Sequence, residues 1–191
     1  MKKYIPIIAS LFVALQLNAG GVYKVSRFGI KSNGITDNTE SIQKAVDFIH
    51  AQGGGELQFS VGRFITGAID LKDNVTIRLG GGAVIVGSDN IYAYKGRKAI
   101  FNADGCSNIS IYGSGVIDGR AELIRKSYEE QLSKGHITEA TPLPTLLYFK
   151  DCKKVSLKKF ILRNPTGYPV LYLNDGSEVS EDGIYCDTPH K

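Results

Sequence analysis

One stretch of this chain repeats itself at an interval of 24 residues, and few architectures tolerate such a period. Leu147-Tyr148-Phe149-Lys150-Asp151-Cys152-Lys153-Lys154-Val155-Ser156 aligns with Leu171-Tyr172-Leu173-Asn174-Asp175-Gly176-Ser177-Glu178-Val179-Ser180 at that offset. Phe160-Ile161-Leu162 then falls on Ile184-Tyr185-Cys186, and Pro165 on Pro189. Asp104-Gly105-Cys106-Ser107-Asn108-Ile109-Ser110-Ile111 matches the segment Lys150 to Leu157 at 46 residues, and Asp70-Leu71-Lys72-Asp73-Asn74-Val75-Thr76-Ile77 precedes it by 34. Units of this size cannot bury an apolar face alone, so they stack. Val75-Thr76-Ile77, Ile109-Ser110-Ile111 and Val155-Ser156-Leu157 alternate apolar and polar residues, the period of a strand with one face inward. Stacking pairs each strand with its equivalent one coil away, about 4.8 Å along the axis, and builds one continuous apolar column. A β-sandwich also has short strands and frequent turns, but nothing in it holds turn, strand and proline to one register. The expected fold is all-β, a single-stranded parallel β-helix.

Two segments depart from the repeat. Asp37 is a candidate N-cap with Glu40 three residues on, Ile42, Ala45, Val46 and Ile49 fall on one helical face, and Gly53-Gly54-Gly55 ends the run. This predicts an amphipathic helix over residues 39–52, placed to cover the apolar end and open strand edges of the first coil. Residues 121–145 show no strand alternation and end in Pro142 and Pro144, so they read as an insertion, a side loop with a helical turn. Met1-Lys2-Lys3, the apolar run Ile5 to Leu17 and the small-residue site at Ala19 read as a signal peptide, residues 1–19. The expected product is exported, periplasmic or extracellular, with no membrane association after cleavage. One β-helix domain, residues 20–191, follows. Setting Lys2 and Lys3 aside leaves 21 basic residues against 19 acidic ones, a formal +2. That balance makes no case for nucleic acid and is compatible with an acidic polysaccharide.

Several motifs carry a family likeness. Tyr23 to Thr39, Gly53-Gly54-Gly55-Glu56-Leu57-Gln58-Phe59 and Gly62-Arg63-Phe64 resemble the opening of the pectate-lyase-like superfamily. Asn74-Val75-Thr76-Ile77, Ile85-Val86-Gly87-Ser88, Gly113-Ser114-Gly115-Val116-Ile117-Asp118-Gly119 and Phe160-Ile161-Leu162-Arg163-Asn164-Pro165 are similar to the polygalacturonase-like glycoside hydrolases of family 28. The resemblance implies a right-handed coil, cleavage of galacturonan or rhamnogalacturonan with inversion, an acidic plant-type polysaccharide as partner, and neither metal nor cofactor. Inversion needs one carboxylic acid and one carboxylate roughly 6.5–9.5 Å apart. The family draws its catalytic groups from Asn-x-Asp and Asp-Asp motifs, followed by Gly-His-Gly and Arg-x-Lys. No two Asp are adjacent here, Gly135-His136-Ile137 breaks the histidine motif, and no Arg is followed two residues later by Lys. No catalytic residue is therefore expected in this chain; the domain is expected to be incomplete at its C-terminus and to need a missing half or a β-helix partner. The alternative is a non-catalytic module that binds acidic glycans or caps another β-helix.

Among the remaining polar residues, the resemblance puts Arg163, Asn164 and Tyr168 on the substrate side as candidate sugar contacts. A Tyr ring offers an apolar face with a hydroxyl, and an Arg can pair a galacturonate carboxylate bidentately. The repeat sets Asp70 with Asp104 in one column and Asp151 with Asp175 in the next, where close carboxylates could form an acid/base pair or simply serve the turn before each strand. His50, His136 and His190 show no ligand spacing, so no metal site is expected. Cys106 and Cys152 occupy equivalent repeat positions, with Cys186 in another column, and stacked reduced thiols are the expected state. Free-thiol titration of the purified protein should return three; a count of one would mean that Cys106 and Cys152 are bridged.

Overall fold

The computed structural model describes residues 20–173 and 178–187; residues 1–19, where a signal peptide is expected, Asp175, Pro189 and His190 lie outside them. The chain enters through β1 (Gly21–Lys24) and β2 (Asn33–Asp37), followed by helix α1 (Thr39–Ala51). The second coil is β3 (Gly55–Phe59), β4 (Gly62–Thr66) and β5 (Ile69–Asp70); the third is β6 (Val75–Leu79), β7 (Ala83–Gly87) and β8 (Ala99–Asp104). The fourth runs β9 (Ser107–Gly113), β10 (Val116–Asp118), helix α2 (Ala121–Ser133) and β11 (Thr145–Lys150). Then come β12 (Lys153–Lys158), β13 (Ile161–Arg163), β14 (Val170–Leu173), β15 (Val179–Asp182) and β16 (Tyr185–Asp187). Every strand pairs in parallel with the equivalent strand of the adjoining coil. Three sheets result: sheet A in the order β1-β3-β6-β9-β12-β15, sheet B in the order β2-β4-β7-β10-β13-β16, and sheet C in the order β5-β8-β11-β14. This is the expected right-handed parallel β-helix.

Alternation within each strand selects what faces inward, and the register stacks those residues. Leu57, Ile77, Ile111 and Leu157 are successive partners in sheet A. Phe64, Ile85, Ile117 and Leu162 form the sheet B column, and Ile69, Phe101, Leu147 and Val170 that of sheet C. Nearly all are wholly buried, and each contributes roughly 1.5–3 kcal/mol of burial free energy. Phe59 and Phe64 meet edge to face at 5.0 Å across the corner between sheets A and B. The turn into sheet A uses a left-handed backbone at Asn74, Asn108 and Lys154, and Asn108 Nδ2 donates to Asn74 Oδ1 at 2.8 Å. Asparagine tolerates that conformation and here also satisfies its amide against the coil below.

Helix α1 stands where the first coil would place a third strand. Ile42, Ala45, Val46 and Ile49 are fully buried against the coil it covers, and Gln43 donates to the Asp70 carbonyl and accepts from the Asp70 amide. The N-cap position is Asn38, one residue later than predicted, yet Asp37 Oδ1 still accepts from the Thr39 amide at 2.8 Å.

Three sequence expectations are corrected. The insertion is not a loop with one helical turn: Ala121–Ser133 is a 13-residue α-helix. Its apolar face was illegible because Ile124 is its single fully buried residue, the remaining attachment being polar. The 24-residue period holds in sheets A and B, where Val155 pairs with Val179 and Ile161 with Tyr185. In sheet C the spacing is 23: Tyr148 pairs with Leu171 and Phe149 with Tyr172, whose rings stack at 5.6 Å. Five residues separate Leu173 from Val179 where four separate Lys150 from Val155, so one extra residue in that turn restores the longer period. Likewise Asp70 pairs with Asn102 and Asp104 with Lys150, so Asp70 and Asp104 do not share a column. If burial of the stacked columns holds the coil together, Ile111→Ala should lower the unfolding free energy by about 2–5 kcal/mol in a denaturant titration. A loss below about 1 kcal/mol would place Ile111 outside a packed column.

Candidate functional site

The connections between strands are unequal, and the inequality builds a wall. From the second coil onward, turns from sheet A to sheet B take two or three residues, whereas those from sheet B to sheet C include residues 88–98 and 119–144. The long connections rise along one edge of sheet C. Ile91 and Tyr94 from the first and Ile124 from α2 are buried with Ile100 and Leu146 of the sheet. The approach is close enough to require glycine: a Cβ on Gly87 would lie 2.8 Å from the Tyr94 hydroxyl, and one on Gly119 2.6 Å from Leu146. Tyr94 donates to the Ser88 carbonyl at 3.0 Å, and burial pushes its phenol pKa well up. Polar hooks complete the wall: Tyr92 donates to Gln131 of α2, and Arg125 donates to the Thr166 carbonyl of the next coil.

Beneath this wall the outer face of sheet C carries the column Asp70, Asn102, Tyr148, with Asp104 and Lys150 beside it. A cleft of about 370 Å³ lies over these residues, between Gly96-Arg97-Lys98 of the wall and Leu71-Lys72 of the opposite turn. Arg97 forks onto Asp70, Nε to Oδ1 at 2.9 Å and Nη2 to Oδ2 at 2.8 Å, which holds the guanidinium more firmly protonated than usual. Lys150 Nζ lies 3.1 Å from Asp104 Oδ2, a contact that raises its pKa, and 3.7 Å from Asp151. The Asn102 amide folds back onto its own strand, accepting from the Ala99 N–H and donating to the Ala99 carbonyl.

Asn102-Ala103-Asp104 has the Asn-x-Asp form from which the resembling family draws catalytic groups. It lies on the cleft, but the asparagine is satisfied locally and the aspartate faces a lysine rather than a second acid. The pairing of Asp70 with Asp104 as an acid/base couple fails for the same reason: each carboxylate has its own cation.

Arg163 ends β13, Asn164 and Tyr168 lie in the connection from it to β14, and the structure uses the three differently. Arg163 Nε is 3.2 Å from Asp187 Oδ2, an exposed ion pair to the next coil. Asn164 has a left-handed backbone (φ 48°) and donates to the buried Asp118 carboxylate at 3.0 Å; it also borders a second cavity of about 380 Å³ with Arg120 and Leu123. Tyr168 is 80% exposed, its ring free of the packing that a residue before proline often shows. His50 Nδ1 lies 3.1 Å from the Asp73 carbonyl, and His136 Nδ1 lies 3.0 Å from Gln131. Among the described residues no three His, Cys, Asp or Glu side chains converge as metal ligands. Cys106, Cys152 and Cys186 are thiols, with burial pushing each pKa up.

Comparison with known proteins now bears on this geometry. The chain matches no family model. It is 35% identical to an exo-poly-α-D-galacturonosidase of Dickeya chrysanthemi over 118 aligned positions, taking in 51% of this chain and 19% of that protein. An inferred glycosyl hydrolase from Parabacteroides merdae superposes with a TM-score of 0.83 and 44% identity, over 87% of this chain and 75% of that one. The family 28 exopolygalacturonase of Yersinia enterocolitica, 23% identical, shares the fold with a TM-score of 0.76 over 87% of this chain and 39% of its own length. Fold, wall and cleft thus define a parallel β-helix protein of pectate-lyase-like fold. Within that fold, the chain resembles the polygalacturonase-like glycoside hydrolases of family 28. It spans about a fifth of the curated relative it matches.

The unequal roles of Arg163 and Asn164 can be measured. Arg163→Ala should change the unfolding free energy by less than about 1 kcal/mol, because an exposed ion pair is screened by solvent. Asn164→Ala should cost roughly 1–3 kcal/mol, through the donor withdrawn from Asp118 and the left-handed backbone imposed on alanine. Equal losses in a parallel denaturant titration would show that Asn164 has no structural duty.

Proposed function

We propose that this chain is the substrate-holding part of a pectin-degrading glycoside hydrolase, exported by its leader and acting on galacturonan or rhamnogalacturonan. The observation that carries this reading is the cleft along the outer face of sheet C, walled on one side and rimmed by cations, in a chain 44% identical over most of its length to an inferred glycosyl hydrolase. A polyuronate laid along that face would meet Lys72, Arg97 and Lys98 and then, farther up the coil, Arg163, Asn164 and Tyr168. Tyr168 is the most available of the three for a sugar ring, since Arg163 is engaged by Asp187 and Asn164 by Asp118.

Hydrolysis with inversion requires a proton donor and a separate carboxylate that activates water. The carboxylates on the cleft, Asp70 and Asp104, are each engaged by a cation, and neither stands free to act on a glycosidic oxygen or a water. Our reading is therefore that this chain holds the polymer without cleaving it. Incubating the purified chain with polygalacturonate, and measuring both co-sedimentation and new reducing ends, should give binding with no increase in ends over buffer. New reducing ends would show that it carries an acid pair after all, and failure to retain polygalacturonate would contradict the pectic assignment.

A further inference from the structure

The outer column of sheet C contains one polar group that the protein leaves unused. Asp70 meets Arg97 through its carboxylate and Gln43 through its backbone, and Asn102 satisfies both ends of its amide on Ala99. Tyr148, the third member, is 9% exposed, and its hydroxyl has no hydrogen-bond partner among the described residues. That oxygen is nevertheless not sealed within protein, and the residue lines the cleft, so the hydroxyl opens into it. A mostly buried tyrosine whose hydroxyl has no partner within the protein and opens into a cleft is placed to bond whatever occupies that cleft, water or a ligand.

The charges around it have the same character. Arg97 and Lys150 are matched by Asp70 and Asp104, but Lys72 and Lys98 make no ion pair among the described residues, and both line the cleft. Lys98 Nζ lies over the Tyr148 ring, 5.1 Å from its centroid. A cation–π contact at an exposed site contributes only about 0.5–1 kcal/mol; it orients the ammonium without neutralising it. The cleft therefore presents two unneutralised ammonium groups and one free hydroxyl around a volume of about 370 Å³, the size of a short oligosaccharide segment.

We infer that Tyr148, Lys98 and Lys72 form a binding subsite for a carboxylated pyranose that does not include Arg163 or Asn164. The two lysines take the ring carboxylate and the Tyr148 hydroxyl bonds a ring hydroxyl. This rests on the pectic reading above and adds to it the residues that would distinguish an acidic sugar from a neutral one. A neutral hexose would gain the tyrosine bond and nothing from the lysines, whereas a uronate gains both.

Isothermal titration of the purified chain with tri-galacturonate, and with the neutral trisaccharide made by reducing its carboxylates, tests the assignment. Lys98→Met, which keeps the stem over the ring, should weaken tri-galacturonate at least about tenfold while leaving the neutral trisaccharide within about twofold. Tyr148→Phe, which deletes only the hydroxyl, should weaken both trisaccharides by a similar factor, and thermal unfolding of both variants should stay close to that of the parent. Equal losses for acidic and neutral ligands in Lys98→Met, or parental affinity for tri-galacturonate in both variants, would overturn the subsite even if the chain retains polygalacturonate. Lys98-dependent binding of tri-galacturonate together with release of reducing ends would uphold the subsite and refute the non-cleaving reading instead.

Discussion

Everything in this molecule depends on one coil lying in register upon the next. A strand of three to six residues has almost no stability of its own, and an isolated coil leaves its inward apolar residues half covered. Pairing in parallel with the coil below and the coil above resolves both problems at once, because the backbone ladder and the apolar columns share one repeat. Leu57, Ile77, Ile111 and Leu157 are one sequence pattern read four times, turned by stacking into a single buried line. At the lower end the ladder cannot continue, and α1 takes over, presenting Ile42, Ala45, Val46 and Ile49 to the second coil and clamping Asp70 through Gln43.

The same constraint explains where function can be placed. Strands are fixed by the stack, so variation is confined to the connections, and the longest between described strands of one coil, residues 88–98 and 119–144, run from sheet B to sheet C. Their growth is disciplined by packing: Tyr94 and Ile124 reach back onto the outer face of sheet C, and Gly87 and Gly119 leave room for the approach. A wall so anchored turns an ordinary sheet face into a cleft. The cleft's chemistry follows from which outward residues the wall and the register bring together, above all Lys98 beside Tyr148 and Arg97 upon Asp70.

The repeat made the fold legible because in sheets A and B the period survives intact, with Val155 over Val179 and Leu162 over Cys186. Sheet C was misread, since its turns differ by one or two residues from coil to coil. A displacement of that size leaves a sequence alignment looking sound while moving every side chain to a new neighbour. The repeat alone thus sets Asp104 with Asp70, whether as an acid/base pair or as turn residues, whereas the register sets it with Lys150 and each carboxylate has its own ion pair. Helix α2 was underestimated because one buried isoleucine gives no amphipathic signal. Tyr148 escaped notice for a different reason. Between Leu147 and Phe149 it resembles one more core residue, and only the alternation of β11 turns it outward. Arg163, Asn164 and Tyr168 do fall at the end of β13 and in the connection that follows it, but two of them already have partners within the protein.

The direct test is a cross-linking measurement between coils. In a background with Cys106, Cys152 and Cys186 replaced by serine, Ser110→Cys with Ser156→Cys puts thiols on residues that are register partners in sheet A. Neighbouring strands bring such Cα atoms to about 4.8 Å, inside the span a disulfide requires. Mild oxidation should bridge that pair rapidly, while Ser110→Cys with Lys158→Cys, two residues out of register, should stay reduced. Equal rates for the two pairs, or no bridge in the first, would mean that the coils do not stack as described, and the cleft over sheet C would lose its basis.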